Sequence, residues 1–152
     1  MKIIFASDHA GFALKEVLRA HVTSLGHEVT DMGAFTLDPN DDYPDFITPA
    51  AWAVIAGGSD ARGIILGGSG QGEAIAANRV PGIRAVVYYG DAEKKDAGDI
   101  ITLSREHNDA NVLSLGARFL TEDTSKRAVE KWLATSFTHE KRHERRNDML
   151  NS

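Results

Sequence analysis

A glycine-rich loop that carries a single carboxylate is the strongest chemical feature of this sequence. The loop follows an apolar run, opens a predicted helix, and reads Gly67-Gly68-Ser69-Gly70-Gln71-Gly72-Glu73. Glycine lets backbone N–H groups approach a ligand closely, and the N-terminus of a helix adds partial positive charge. The loop is therefore predicted to bind an anion or to stabilise a developing oxyanion.

Two nucleotide-binding patterns can be tested on this loop. A dinucleotide fingerprint needs glycines at i, i+2 and i+5, but the third position counted from Gly68 is Glu73. A phosphate-loop pattern begins with Gly67 and Gly72, yet its lysine position is again Glu73, which would repel nucleotide phosphates. Both patterns fail, so a nucleotide-binding function is disfavoured.

Glu73 is the candidate general base of this loop. A carboxylate at its mouth can take a proton from a carbon next to a carbonyl, while the loop amides stabilise the charge that moves onto oxygen. The helix N-terminus favours an ionised Glu73, whereas partial burial would raise its pKa, and the residue pattern leaves both open. The alternative interpretation is an ordinary acidic residue in a first helical turn.

Two dipeptides that contain histidine lie at the ends of predicted strands. Asp8-His9 follows the first strand and would face the crevice of the glycine loop, whereas His107-Asn108 precedes the last strand. An imidazole donates or accepts a proton near neutral pH, which suits the opening of a cyclic sugar. The alternatives are a common turn at Asp8-His9 and a polar helix end at His107-Asn108.

Three arginines near the C-terminal end of the sequence are candidates for binding a phosphate group. Arg142 and Arg146 are spaced i, i+4, so a helix places them on one face, where two guanidinium groups can bind one phosphate. Arg118, just past the last predicted strand, could join them. The alternative is a solvated helical face, since acidic residues are interspersed in the same segment.

Metal and thiol chemistry have little support in the sequence. The chain has 6 histidines and no cysteine, which excludes disulfides, thiolate zinc sites and a thiol nucleophile. His139 and His143 have a helical spacing, but no carboxylate lies convincingly between them. We therefore expect neither a metal ion nor a cofactor.

The elements that must position these residues alternate along the chain. Strands are predicted at Lys2–Ala6, His27–Asp31, Arg62–Leu66, Ile83–Tyr88 and Asn111–Leu115. Helices are predicted at Leu14–Leu25 with Gly26 as its cap, Phe46–Ala56 with Pro49 in its first turn, Gly72–Arg79, Ile100–Glu106, after Thr121, and at about 140–150. Strands that alternate with helices imply a parallel sheet covered on both faces, with ligands at the carboxyl ends of its strands.

Composition limits the remaining functions. The 152 residues include 17 basic and 22 acidic side chains, for a net charge of −5, which disfavours general binding to nucleic acid. The longest apolar run, Ala50 to Ala56, is far shorter than the ~20 residues that span a bilayer. We expect a single cytoplasmic domain over residues 1–152 that does not associate with membranes.

Taken in order, five motifs resemble those of the ribose 5-phosphate isomerase B family, which also includes allose 6-phosphate and galactose 6-phosphate isomerases. The motifs are Ser7-Asp8-His9-Ala10-Gly11, Asp42-Tyr43-Pro44-Asp45, the glycine loop with Ala76-Ala77-Asn78, Ser104 to Asn111, and Arg142-His143-Glu144-Arg145-Arg146. One subgroup of the family uses a cysteine base at the position of Gly67, and the other uses the glutamate that matches Glu73.

The resemblance implies a three-layer α/β/α sandwich with a five-stranded parallel sheet of Rossmann-like form. It also implies a homodimer, with a tetramer as the alternative, whose active sites are shared between chains, and metal-free aldose–ketose isomerisation through an enediolate. The catalytic residues it implies are Glu73, His107, Asp8 and Ser69. The substrate-binding residues it implies are His9, Tyr43, Gly68, Gly70, Gln71, Gly72, Asn108, Arg118, Arg142 and Arg146.

We therefore expect the chain to interconvert D-ribose 5-phosphate and D-ribulose 5-phosphate. Arg118, Arg142 and Arg146 would bind the phosphate group, with His9 nearby. His107, helped by Asp8, would open the furanose, and Glu73 would move the proton between C2 and C1. A six-carbon sugar phosphate as substrate and a non-catalytic phosphosugar-binding module remain alternatives. The stretch Tyr89–Thr102 is a few residues longer than is usual for the family, which affects the placement of His107.

Overall fold

The computed structural model describes residues 1–91 and 99–150, and its centre is a parallel sheet of five strands. The strands are β1 (Lys2–Ser7), β2 (Glu28–Asp31), β3 (Ala61–Gly67), β4 (Ala85–Tyr88) and β5 (Val112–Gly116). The helices are α1 (Phe12–Ser24), α2 (Pro44–Gly57), α3 (Gln71–Ala77), α4 (Ile100–Glu106), α5 (Glu122–Ala134) and α6 (Lys141–Met149). A 3-10 turn, Gly58–Asp60, leads into β3.

Two apolar cores, one on each face of the sheet, make the protein three-layered. Because side chains alternate along a strand, Phe5 of β1 points into one core and Ile4 into the other. The first core includes Trp132 from α5, and the second includes Val54 from α2. The predicted α/β/α sandwich with five parallel strands is confirmed.

The order of the strands locates the crevice in which a ligand would bind. The sheet has the order β2-β1-β3-β5-β4. The chain leaves β1 toward one edge of the sheet and leaves β3 toward the other. In open α/β sheets, such a reversal opens a crevice at the carboxyl ends of the two strands. The segments after β1 and β3 carry Asp8-His9 and the glycine loop, so both predicted motifs meet there.

The predicted boundaries lie within about two residues of the observed ones, and the position of Pro49 in α2 is the informative difference. This helix begins at Pro44, whose ring presets a helical φ in a first turn. Pro49 therefore lies in the second turn, and its prediction as a first-turn residue was wrong. Thr121 does cap α5, since its hydroxyl accepts a hydrogen bond from the N–H of Thr124 at 3.2 Å.

Two other expectations concern the remainder of the chain. The extra length predicted between Tyr89 and Thr102 falls mainly on residues 92–98, outside the described residues. Among the helices of residues 1–91 and 99–150, none combines the length and hydropathy needed to cross a bilayer.

Candidate active site

A cavity of about 390 Å³ lies at the carboxyl ends of β1, β3 and β5. Its lining residues are Ala10, Tyr43, Gly68, Ser69, Gly72, Glu73, Arg118 and Phe119. The segments after three different strands thus contribute to one cavity, as the topology predicts. The volume lies within the usual range for small-molecule sites.

The glycine loop is held in place by the turn that follows β5. The N–H of Ala117 donates to the carbonyl of Gly67 at 2.9 Å, and the N–H of Arg118 donates to the carbonyl of Gly68 at 3.1 Å. The buried hydroxyl of Ser114 donates to the carbonyl of Gly70 at 2.7 Å. Gly70 has φ +78°, a left-handed conformation in which a side chain would be strained. These contacts bring Arg118 close to the loop.

Glu73 lies buried against the last residue of β3. Its relative exposure is 4%, and a Cβ atom built on Gly67 would lie 1.8 Å from its Oε1. Desolvation by burial raises the pKa of Glu73, the negative charge of Asp8 adds to the rise, and its own backbone N–H opposes it. Burial therefore outweighs the hydrogen bond from the backbone N–H, and of the two directions that the sequence left open the structure favours a raised pKa.

Tyr43 lies across the start of α3. A Cβ atom on Gly72 would lie 2.8 Å from Cζ of the Tyr43 ring, so this glycine is needed for the close approach. The ring forms part of the cavity wall beside Glu73. Gln71 is exposed at the first position of α3 and is absent from that wall.

Asp8 and His9 occupy the other side of the crevice. Oδ1 of Asp8 accepts hydrogen bonds from the N–H groups of Ala10 and Gly11 at 2.9 and 3.2 Å. His9 contacts Asp41, a residue that the sequence analysis missed. The two are 32 positions apart, and Asp41 is one of several acidic residues in a polar stretch, so no local signal distinguished it.

Asp8, His9 and Asp41 offer ligand atoms that all lie within 4.8 Å of one another, a spacing that could hold a metal ion. The contact between His9 Nδ1 and Asp41 Oδ1 measures 2.6 Å. Two ligands of a tetrahedral zinc ion, each at about 2.0–2.1 Å from the metal, would be about 3.3 Å apart. The observed separation is that of a hydrogen bond.

Four predicted site residues lie at the opposite end of the sheet. His107 and Asn108 follow α4 and precede β5, whose five residues span about 13 Å between the two ends. Arg142 and Arg146 are exposed on α6, and Arg142 Nε donates to Glu140 at 2.9 Å. A single chain therefore does not bring these four residues to Glu73.

The rings of His107 and His143 attach α6 to this end of the molecule. The two rings stack with centroids 4.1 Å apart and planes 10° apart. Asn147 Nδ2 also donates to the carbonyl of His107 at 3.2 Å. Burial, and then the charge of His107, lower the pKa of His143. His107 is thus held by the helix that carries both arginines.

A larger cavity, of about 510 Å³, also lies at the amino ends of the strands. Arg84 and Arg105 both pair with Asp109, and Arg62 donates to two carbonyl oxygens at the end of α5. These contacts are structural, and the carboxylate in this cavity is already paired. In the smaller cavity, the buried Glu73 forms no ion pair with any of residues 1–91 and 99–150, and the glycine loop is open, so this cavity is the better candidate for catalysis.

The fold and this crevice define an α/β protein whose small-molecule site lies where its parallel strands end. A family model described as Ribose/Galactose Isomerase matches residues 3–150. Ribose-5-phosphate isomerase B of Mycolicibacterium paratuberculosis is 41% identical over 150 residues, which cover 99% of this chain and 89% of that protein. Its Escherichia coli counterpart is 42% identical over 136 residues, covering 90% and 85%. The chain belongs to the Ribose/Galactose Isomerase family.

Solved structures agree with this membership. Ribose-5-phosphate isomerase B of Mycoplasma genitalium, with bound ribulose-5-phosphate, superposes with a TM-score of 0.89 at 36% identity. The superposition covers 99% of this chain and 93% of that protein. Ribose-5-phosphate isomerase B of Clostridium thermocellum has a TM-score of 0.89 at 40% identity, with 99% and 95% covered. The similarity therefore extends over almost the whole of each chain.

Proposed function

We propose that this chain is an aldose–ketose isomerase that interconverts D-ribose 5-phosphate and D-ribulose 5-phosphate. The observation that carries the proposal is Glu73, a buried carboxylate whose pKa is raised and which lies against an open glycine loop. A general base works best when its pKa is near the working pH, and burial moves Glu73 in that direction. The relatives that act on ribose 5-phosphate, by their names, support the choice of substrate.

In the proposed mechanism, Glu73 removes the proton from C2 of the open-chain aldose and returns it to C1. The electron pair of the broken C–H bond forms the enediolate, whose oxygen is stabilised by the loop amides and Ser69. A hydroxyl proton moves from O2 to O1 in the same conversion, and Ser69 and Tyr43 are the hydroxyl-bearing residues that line the cavity with Glu73. Aldose and ketose are isomers, so no external oxidant or cofactor is consumed.

The first experiment is an isomerase assay on ribose 5-phosphate with EDTA present throughout. We expect turnover in EDTA, and at least a 100-fold lower kcat for Glu73→Gln, because the amide cannot accept the proton. Binding of ribose 5-phosphate should stay within a few-fold. Retention of more than a few per cent of the activity by Glu73→Gln would exclude Glu73 as the base.

Two further assays separate the alternatives. Exchange of the C2 proton with solvent deuterium would be absent from a module that only binds phosphosugars. A comparison of kcat/KM on ribose 5-phosphate and allose 6-phosphate tests the substrate, and we expect a preference for the pentose.

We further propose that a second copy of the chain completes each active site. His107, Asn108, Arg142 and Arg146 are at the end of the sheet opposite Glu73, so a partner must supply them if they act on the same substrate. The exposed Trp52, Ile75 and Phe119 offer apolar surface of the kind that interfaces bury. The assembly would be a homodimer with two shared sites.

Mixed dimers test this arrangement. In a hybrid of Glu73→Gln and Arg142→Ala chains, a shared arrangement leaves one site intact and puts both changes into the other. At substrate concentrations below KM, an equal mixture should recover about one quarter of wild-type activity, because half of the dimers are hybrids with one intact site. Activity no higher than the mean of the two parents would show that each chain completes its own site.

A further inference from the structure

We propose that Asp41 is a positioning residue for the substrate's phosphate group, acting through His9, whose ring it orients and keeps as a cationic donor. The inference rests on the proposed function, since it concerns how the phosphosugar is bound. Asp41 lies in the polar segment between β2 and α2, and this segment brings it next to His9 at the carboxyl end of β1.

One oxygen of Asp41 contacts His9 twice. Oδ1 accepts a hydrogen bond from the backbone N–H of His9 at 3.0 Å and lies 2.6 Å from Nδ1 of the ring. The first contact fixes the backbone, and the second makes Nδ1 the donor and fixes the rotation of the ring. Nε2 is then the nitrogen left for a ligand.

Asp41 is more buried than His9, as expected if Asp41 orients the ring while His9 contacts the ligand. The side chain of Asp41 is 8% exposed, whereas that of His9 is 30% exposed. Oδ2 of Asp41 is buried and has no hydrogen-bond partner among the described residues. Within residues 1–91 and 99–150, His9 is also its only partner at ion-pair distance. A buried carboxylate is costly without a counter-charge, so Asp41 favours the protonated ring of His9.

The charges around His9 agree with this assignment. The hydrogen bond to Asp41 is the largest influence on the pKa of His9 and raises it. The charges of Asp8 and Asp41 also raise this pKa, while partial burial and the charge of Arg118 lower it. His9 is therefore protonated to a higher pH than a free histidine, and its Nε2–H can donate to an anion.

The segment that carries Asp41 is anchored to the core at its beginning. Lys15 is fully buried, and its Nζ donates to Asp31 at 2.8 Å and to the carbonyl of Ala34 at 2.6 Å. Further along, Oδ1 of Asp38 accepts a hydrogen bond from the N–H of Asn40 at 2.9 Å. These contacts restrict the path of the chain between β2 and Asp41, so the carboxylate is pre-positioned.

The proposal and charge repulsion alone predict opposite effects on phosphate binding when the charge of Asp41 is removed. Asp41→Asn removes a negative charge from a phosphate site, which by charge alone should strengthen binding. If Asp41 acts through His9, the same change weakens binding, because the ring loses its counter-charge and its fixed orientation.

The experiment combines kinetics with direct titration of the ring. In ¹⁵N-labelled protein, the pKa of His9 should be lower in Asp41→Asn than in wild type, whether or not substrate is present. KM for ribose 5-phosphate and the Kd for inorganic phosphate should rise roughly 10- to 100-fold, as for the loss of one charge-assisted hydrogen bond, with kcat within a few-fold. As pH rises, phosphate affinity should fall at a lower pH in the variant than in wild type.

Three controls isolate the role of Asp41. Asp38→Asn removes the same charge from the same segment and should leave KM within twofold, because Asp38 does not contact His9. In a His9→Gln background, Asp41→Asn should change KM little further. Asp41→Glu retains the charge and should keep the pKa of His9 closer to its wild-type value than Asp41→Asn does, which covers the case in which Asp41→Asn folds poorly.

An unchanged His9 pKa in Asp41→Asn, or tighter phosphate binding, would overturn the proposal. Equal losses in His9→Gln and wild-type backgrounds would overturn it as well, since Asp41 would then act independently of the ring. The titration needs no turnover. A wild-type protein that fails to isomerise ribose 5-phosphate while its His9 titrates as expected would refute the proposed function and leave the Asp41–His9 pairing standing.

Discussion

Replacing Gly67 with alanine should remove most of the catalytic activity and leave the protein folded. An alanine Cβ would lie 1.8 Å from Oε1, 2.0 Å from Cδ and 2.5 Å from Oε2 of Glu73. Real contacts at such distances do not occur, so the carboxylate must leave its position. All three atoms belong to the end of one flexible side chain, so the backbone of β3 can stay in place.

The expected magnitudes follow from this geometry. Overpacking of a buried site costs about 1–3 kcal/mol, which for a chain of this size lowers Tm by roughly 2–12 °C. Loss of a positioned general base costs roughly 100- to 10,000-fold in kcat. Activity measured with ribose 5-phosphate should therefore fall far more than stability measured by thermal unfolding.

Gly63→Ala is the matched control. Gly63 lies on the same strand and the same face of the sheet, and its Cβ would meet Val112 at 3.0 Å and Val54 at 3.1 Å. These contacts are tight and lie in the core far from Glu73. A similar loss of Tm with kcat within a few-fold is expected, which would show that destabilisation alone does not remove activity.

A double variant tests whether Gly67 acts through Glu73. Once Glu73→Gln has removed the base, adding Gly67→Ala should lower kcat by only a few-fold more. Two results would refute the reasoning: a Gly67→Ala protein with near wild-type kcat, or a double variant in which the two losses multiply.

Three further predictions concern buried ionisable groups. The raised pKa of Glu73 means that the folded state holds this proton more tightly than the unfolded chain, so stability should fall as pH rises above the ordinary value of 4.5. Glu73→Gln should flatten this pH dependence of Tm in thermal scans. In the wild type, kcat should fall as pH drops through the raised pKa, because a protonated Glu73 cannot act as a base. His143 should have the opposite effect on the pH dependence of stability. Its lowered pKa means that its contribution to folding stability is present above pH 6.5 and is lost as pH falls below that value. His143→Phe, which can keep the stack on His107, should therefore flatten the decline in Tm at acidic pH. Lys15→Met should cost about 1–3 kcal/mol in urea unfolding, because the buried carbonyl of Ala34 loses its donor and Asp31 keeps only Arg19, at 2.8 Å, as a cationic partner. A loss below about 0.5 kcal/mol would contradict a structural role for Lys15.

The proposed shared-site arrangement would explain why the predicted site residues divide into two groups. His107 and Arg142 are held together by the stack of His107 on His143 in α6, and they face away from the crevice of their own chain. A helix that leaves a parallel sheet at the carboxyl end returns to the amino end, so residues after α4 must lie opposite the glycine loop. This geometric constraint makes a second chain necessary for the proposed mechanism.

The local sequence was sufficient for most of the elements and for the position of Glu73, the proposed base. The apolar run of β3, the glycines after it and the acidic residue at the start of α3 lie next to one another in the chain, so their chemistry can be inferred without long-range contacts. The start of α2 was predicted at Phe46, whereas the helix begins at Pro44, so Pro49 falls in its second turn and not in its first.

The sequence by itself determined that strands alternate with helices, that a glycine loop opens α3, and that Glu73 stands at its mouth, because these are short-range patterns of residue type. The tertiary structure decided the direction of the Glu73 pKa, since burial depends on how β1, β3 and α3 pack. It also decided the pairing of Asp41 with His9 across 32 positions. Desolvation and contacts between distant residues are properties of the packed chain, and no local pattern of residues encodes them.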